Sequence, residues 1–196
     1  MISRPVDLEL LLTQTGALHS GHFVLSSGMH SSQYIQCALL LQHPALAAAV
    51  GGALADRFRL ERPEVVIGPA MGGVVVAHEV ARALGVRALF AERVEGLFAL
   101  RRSFQIRPGE RTLIVEDVVT TGASTHEVHR LVDRAEGIVV GMGALVDRSM
   151  QPPTFGVRFE ALLKLRADLY LPADCPLCRT RVPLTKPGSR PVAVPT

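Results

Sequence analysis

Tryptophan is missing from the 196 residues, aromatics amount to 5%, and lysine occurs only at Lys164 and Lys186. With so few rings, a core must rest on Val, Leu, Ala and Ile, and a 48% hydrophobic content suffices for one good core. No apolar stretch approaches the ~20 residues that cross a bilayer, so no membrane partner is expected. The N-terminus lacks a basic segment followed by an apolar one, which argues against export. Cysteine is sparse and odd in number (Cys37, Cys175, Cys178), which argues against a secreted disulfide framework and makes a cytoplasmic protein the plain expectation. The net charge of +3 comes with no lysine-rich tail and no basic helical stripe, so nucleic acid is not an expected partner. The arginines concentrate between Arg87 and Arg111, a placement that suits a small polyanionic ligand.

What is present is an alternation of apolar strands and helical patterns. Asp7 to Leu18 reads as an amphipathic helix. Phe23–Leu25 and Tyr34–Gln36 are short strand-like pieces around a polar turn. Pro44–Phe58 is helical, Val65–Ile67 is a buried strand, and Val74–Leu84 is a helix closed by Gly85. Ala88–Arg93 and Leu97–Phe104 form a strand pair, and a strand follows over Leu113–Val115. Ser124–Ala135 is helical, Gly137–Val146 is a buried strand, and Phe159–Leu163 is a further strand. From Pro172 prolines dominate, so an extended or loosely held tail is expected. Such alternation predicts an α/β fold with a doubly wound, mainly parallel sheet, in which ligands bind beyond the carboxyl ends of the strands.

Two loops follow strands at that edge. In Arg111–Ser124 an apolar run enters two adjacent carboxylates, Glu116 and Asp117, and continues through Val118, Val119, Thr120, Thr121, Gly122, Ala123 and Ser124 into a helix. A turn of this kind can hold phosphate on backbone N–H groups and the helix dipole, while the carboxylates bind vicinal hydroxyls or a hard cation. Earlier, Gly68-Pro69-Ala70-Met71-Gly72-Gly73 is small enough to let backbone approach a diphosphate.

The run from Ile114 to Ser124 resembles the phosphoribosyl-diphosphate-binding signature of type I phosphoribosyltransferases. Within that family, Gly21–Ile35, with Phe23, Ser27, Gly28, Ser31 and Tyr34, looks like the N-terminal hood of the orotate phosphoribosyltransferases. Asp147-Arg148 matches the position whose arginine grips the orotate carboxylate, a task suited to a bidentate guanidinium. The resemblance runs from about Gly21 to Arg148. It implies one domain over residues 1–196, with a hood over about 1–40, a core over about 44–165, a flexible hairpin and a Pro-rich tail over about 172–196. It further implies transfer of phosphoribosyl from its diphosphate to orotate with Mg²⁺, on a homodimer with shared active sites. Glu116 and Asp117 would hold the ribose hydroxyls, Asp117 also serving the Mg²⁺ that the substrate diphosphate and hydroxyls bind. Val118 to Ser124 would cradle the 5′-phosphate, Ala70, Met71 and Gly72 the diphosphate, and Thr120, Arg148, Ser27, Gly28 and Tyr34 the orotate.

The resemblance breaks at lysine. Family members carry lysines in the hood, the diphosphate loop and a mobile loop, whereas this chain has Ser26, Met71-Gly72 and a lysine-free Glu92–Gly96. Either arginine neutralises the leaving diphosphate, from Arg93, Arg101 or Arg102, or the leaving group depends on Mg²⁺ alone; arginine cannot donate a proton near neutral pH. Cys175-Pro176-Leu177-Cys178 reads as a reduced pair on a tight turn, because a structural zinc needs four ligands and neither Cys37 nor the histidines show a second pair by spacing. His126 and His129 are expected to face solvent. Two other functions stay open: a purine or xanthine phosphoribosyltransferase, which would have no carboxylate for Arg148, and a non-catalytic sensor of phosphoribosyl diphosphate.

Overall fold

In the computed structural model, which describes residues 6–25, 28–151, 153–166 and 168–187, the chain opens with helix α1 (Leu8–Gln14). The Asp7 carboxylate caps it, accepting from the Leu10 N–H at 3.0 Å. The helix stops short of the expected Leu18: Gly16 takes φ +65°, the Ala17 N–H returns to the Leu12 carbonyl, and Leu18 starts a strand. That strand, β1 (Leu18–Val24), pairs antiparallel with β2 (His30–Ile35), so the N-terminal hairpin is longer than its apolar pieces suggest.

Next come α2 (Ala38–Leu41) and α3 (Pro44–Asp56), the latter with proline in its first turn. A 3₁₀ turn at Arg59–Glu61 leads to β3 (Val65–Pro69), α4 (Gly72–Leu84), β4 (Arg87–Val94) and β5 (Leu97–Ala99). The strand expected to reach Phe104 ends at Ala99, and the positive φ of Arg102 and Ser103 is incompatible with extended pairing. After β6 (Arg111–Val119), α5 (Ala123–Arg134), β7 (Ile138–Asp147) and β8 (Phe159–Lys164), the chain forms β9 (Leu169–Tyr170), a 3₁₀ turn at Pro172–Asp174 and α6 (Pro176–Arg179).

The main sheet has the order β5-β4-β3-β6-β7-β8 and is parallel except for the β4–β5 hairpin. Its central strands are apolar on both faces because both are covered. On one face α3 and α4 pack through Val50, Leu54, Val76 and Val80 against Val66, Leu113, Val115 and Leu145. On the other, Val128 and Val132 of α5 meet Val65, Ile67, Ile114 and Met142. The expected doubly wound α/β architecture is therefore present. A second, three-stranded sheet has the order β1-β2-β9. The tail is not loose over residues 172–187: Cys175 is fully buried, and Thr185 exchanges backbone hydrogen bonds with β1, to Val24 and His22. Its prolines forbid a long helix but do not prevent anchoring by side chains far away in sequence.

Candidate active site

Residues 116–125 make the centre of the site. Thr112 to Val115 fix β6 in the core with no exposed surface, and the strand carries Glu116 and Asp117 out at its carboxyl end, half-buried. Glu116 accepts a 2.6 Å hydrogen bond from the buried Thr125 hydroxyl, one turn into α5. Burial raises the Glu116 pKa to about 7; the Thr125 bond opposes this, Asp117 adds to it, and the Arg93 charge opposes it. Asp117 is also raised by burial, against hydrogen bonding from backbone N–H groups including its neighbour Val118. Two adjacent carboxylates held uncomfortably as anions constitute an electrostatic demand for a cation or for hydroxyl donors.

Beyond them Val119 is buried, while Thr120, Thr121 and Ala123 are exposed and Ser124 is half-buried. Gly122 makes the turn into α5 with φ +75°, and a Cβ there would lie 2.8 Å from the Phe155 ring, so this position accepts no side chain. The exposed hydroxyls and the N-terminal N–H groups of α5, a helix of 12 residues, thus face outward together.

The Ala70-Met71-Gly72 turn comes directly against this loop. A Cβ on Gly72 would sit 2.3 Å from Asp117 Oδ2, so the glycine is what lets the start of α4 approach the acid pair. Met71 projects into solvent, 85% exposed, and the Ala70 N–H bonds to the Ala91 carbonyl on β4.

Arg148 lies one strand over. Register pairs Val119 with Asp147, and the Arg148 N–H bonds to the Val119 carbonyl at 2.8 Å. Its guanidinium reaches the hood, donating to the Gln33 carbonyl at 3.1 Å and to Ser31 Oγ at 3.4 Å. Burial lowers its pKa, with the Tyr34 phenol opposing. Tyr34 is raised by burial, then by Asp117 and Cys37, and its hydroxyl donates to Gln36 Oε1. Tyr34, Asp117, Cys37 and Arg148 therefore share one electrostatic neighbourhood. The buried Asp147 carboxylate accepts from the Ser149 N–H and hydroxyl and faces Lys164 at 3.8 Å. Gly28 is exposed with φ +80° in the turn that joins β1 to β2, whereas Ser27 and Ser26 lie outside the described residues.

Arg93 is the expected residue that the structure places differently. It donates to the Gly96 carbonyl and to Glu127 of α5, and lies over the Phe98 ring at 4.1 Å. An ion pair near the hairpin already occupies it, so its influence reaches Glu116 only through space. Arg102 is likewise taken by Glu92. Arg101 is exposed and makes no ion pair among the described residues. His126 and His129 are half-buried, against the Phe155 ring and Asp133 respectively, rather than facing solvent.

Two participants were missed by sequence reasoning. Thr125 looks like a routine helix residue, although its place in the first turn of the helix that follows the acids is a usable signal. The other is the pair of histidines that meets the tail cysteines: the absence of a second ligand pair for Cys175 and Cys178 is overturned, because the fold brings His22 and His30 to them.

Residues 38–153 match the model of the phosphoribosyl transferase domain family. The orotate phosphoribosyltransferase of Pelotomaculum thermopropionicum is 54% identical over 184 residues, covering 94% of this chain and 97% of that protein. Among solved structures, the orotate phosphoribosyltransferase of Aeropyrum pernix superposes with a TM-score of 0.69 at 28% identity, over 81% of this chain and 93% of that one. The adenine phosphoribosyltransferase of Rhodothermus marinus shares the fold with a TM-score of 0.65 at 23% identity, over 81% of this chain and all of that one.

Proposed function

The chain belongs to the orotate phosphoribosyltransferase family, and we propose from its site that it joins orotate to the phosphoribosyl group of 5-phosphoribosyl 1-diphosphate, yielding orotidine 5′-monophosphate and diphosphate. The observation that carries this is Arg148, whose backbone is bonded to the acid loop while its guanidinium meets the hood. A planar fork suited to a carboxylate thus stands one strand from a site suited to a phosphorylated ribose.

In this reading Glu116 and Asp117 receive the ribose hydroxyls. Backbone N–H groups and hydroxyls from Val118 to Ser124 hold the 5′-phosphate, with Thr120 toward the base. The Ala70-Met71-Gly72 turn takes the diphosphate, and Arg148, Tyr34 and the Ser27-Gly28 turn enclose orotate. As the bond from C1′ to diphosphate breaks and the bond to N1 of orotate forms, positive charge grows on the ribose, and the two carboxylates beneath it stabilise that charge. They are preorganised for this by the strand end and by Thr125.

The donor set suits Mg²⁺: hard carboxylate oxygens with raised pKa values lie beside the phosphate loop, and Asp117 would hold the ion together with substrate oxygens. When bound, Mg²⁺ neutralises charge on the departing diphosphate. Of Arg93, Arg101 and Arg102, Arg101 is the one that makes no ion pair among the described residues, so its charge is assigned the same task. The same reading makes the chain a cytoplasmic homodimer, with the β4–β5 hairpin, whose Leu97 is 70% exposed, reaching toward the neighbouring site. Sedimentation velocity tests the assembly.

Diphosphate release with Mg²⁺, phosphoribosyl diphosphate and, separately, orotate, uracil, adenine, guanine and xanthine tests the activity. Turnover with orotate alone is expected. Turnover with a purine, or with no base at all, overturns the assignment.

A further inference from the structure

Away from the acid loop, four side chains from two distant parts of the sequence converge. His22 Nε2, His30 Nδ1 and the two sulfurs of Cys175 and Cys178 all lie within 4.8 Å of one another. His22 Nε2 is 2.9 Å from His30 Nδ1, 3.4 Å from Cys175 Sγ and 3.7 Å from Cys178 Sγ. His30 Nδ1 is 3.4 Å from Cys178 Sγ. We propose that these residues form a structural Zn²⁺ site that fastens the C-terminal segment to the three-stranded sheet.

The three nitrogen–sulfur distances, 3.4, 3.7 and 3.4 Å, fit a tetrahedron. Zinc bonds of about 2.0–2.1 Å to nitrogen and 2.3 Å to sulfur place neighbouring N and S ligands about 3.5 Å apart. Hydrogen bonding alone accounts for them poorly. A ring nitrogen has one proton or one lone pair, yet His22 Nε2 has three heteroatoms around it. The opposite nitrogen settles its tautomer: Nδ1 lies 2.8 Å from the Val182 carbonyl, which can only accept. Nδ1 therefore carries a proton, and in the neutral ring Nε2 presents a lone pair to the centre, the outer-shell arrangement that orients metal-bound histidines. Two imidazoles and two cysteine sulfurs form a ligand set typical of zinc.

Local structure explains the convergence. Val24 pairs with His30 across the hairpin, and at the bulge between Ser20 and Phe23 the His22 ring comes to lie against that of His30, so both rings leave one side of the sheet. Cys175 and Cys178 approach that side from the start of α6. His22, His30 and Cys175 are buried and Cys178 is exposed, so the centre lies beneath the surface with one ligand at its rim.

The segment has little else to hold it. β9 pairs with β2 at two positions, and Leu171, Val182 and Leu184 remain substantially exposed, so apolar burial is scant. A metal supplies folding free energy where a core cannot. The site does not depend on the phosphoribosyl reading, although it bears on it. Strand β2 carries both His30 and the Ser31 and Gln33 groups that receive Arg148, so the metal stiffens the strand on which the base-side arginine rests.

Metal analysis of the tag-free full chain, purified without chelator, should find about one zinc per chain. Cobalt substitution should give the visible bands of tetrahedral thiolate ligation. Cys178→Ser, altered at the exposed ligand, should lose the metal and become sensitive to trypsin at Arg179 and Arg181 while the main sheet still unfolds cooperatively. As a check independent of any variant, stripping zinc from the wild-type chain with a chelator should lower its Tm, and adding ZnCl₂ back should restore it. A reduced wild-type chain that takes up no zinc at saturating ZnCl₂ overturns the proposal, as does a Cys178→Ser chain that keeps its zinc. Isolation with a Cys175–Cys178 disulfide whose reduction is not followed by zinc uptake overturns it too.

Discussion

The two sheets are held by different physics. In the six-stranded sheet, β3 and β6 contribute runs such as Val65–Ile67 and Leu113–Val115 with no exposed surface, and helices cover both faces. The three-stranded sheet joins that core at Leu18 and Ile35 and otherwise leans on polar contacts: the histidine–cysteine cluster, the backbone bonds of Thr185, and Arg148 reaching from the core to Gln33. The site follows the same division. The half proposed for ribose phosphate is built from consecutive residues on a rigid strand end, whereas the half proposed for the base is assembled from parts that meet only after folding. The first half should therefore lose chemistry without losing its frame when a group is changed, and the second should lose affinity and order together.

Asp117→Asn is the hardest blow to the consecutive half. It removes a preorganised charge from beneath the reacting sugar, and kcat should fall about 10³-fold with Tm unchanged or higher. A fall below tenfold in steady-state assays would place the charge stabilisation elsewhere. Gly72→Ala attacks the same group indirectly, because its Cβ would meet Asp117 Oδ2 at 2.3 Å. Displacing the carboxylate should cost about 10²-fold in kcat/KM, with a modest loss of Tm. Unaltered kinetics would show that the turn yields without moving Asp117.

Glu116 tests the electrostatic cost of the site. Its pKa is near 7 in the folded chain against an ordinary value of 4.5, so between those pH values the folded chain holds a proton that the unfolded chain has lost. Stability should drop as pH rises across that window and stay depressed above it. Glu116→Gln should therefore stabilise the substrate-free protein at pH 8 by about 1–2 kcal/mol, discounted for the partial exposure of the group, and by little at pH 4. Urea unfolding at both pH values checks this, and equal differences at the two would refute the burial account.

Arg148→Lys keeps the charge but loses the fork, so KM for orotate should rise about tenfold while KM for phosphoribosyl diphosphate moves little. Equal effects on both would make Arg148 a tether only. Smallest of all is the contrast between two arginines. Arg101→Ala should reduce kcat about threefold, as expected for a screened surface charge. Arg93→Ala should act mainly on Tm, because it breaks the contacts with Glu127 and Phe98; a kcat loss larger than that of Arg101→Ala would return the neutralising role to Arg93.

The same division decides how much of the molecule can be read from its residues. Strands β3, β6 and β7 and the loop from Glu116 to Ser124 are legible because periodicity, acids, glycine and hydroxyls occur in order along one stretch. Arg148 is legible only beside the family pattern, since a lone Asp-Arg is ordinarily a solvated pair. His22 and Cys175 are 153 residues apart, and no local signal relates them. The tail looks loose by composition because prolines report local stiffness, not distant anchors. Arg93 looks available because sequence shows a cation near a phosphate loop but not that Glu127, on the following helix, reaches it first. The end of α1 at Gly16 is a backbone matter: Leu18 fits a helical stripe as well as it fits the first position of a strand.

The pairing of Val119 with Asp147 has a further consequence. Neighbouring strands stand about 4.8 Å apart by main-chain geometry, whatever their side chains. The groups assigned to the sugar and to the base therefore emerge from adjacent strand ends at one level, and the sheet acts as a ruler between them. Redesign toward a two-ring base would have to lift the covering hairpin that Arg148 pins at Gln33, because the spacing beneath belongs to the backbone and no substitution resets it.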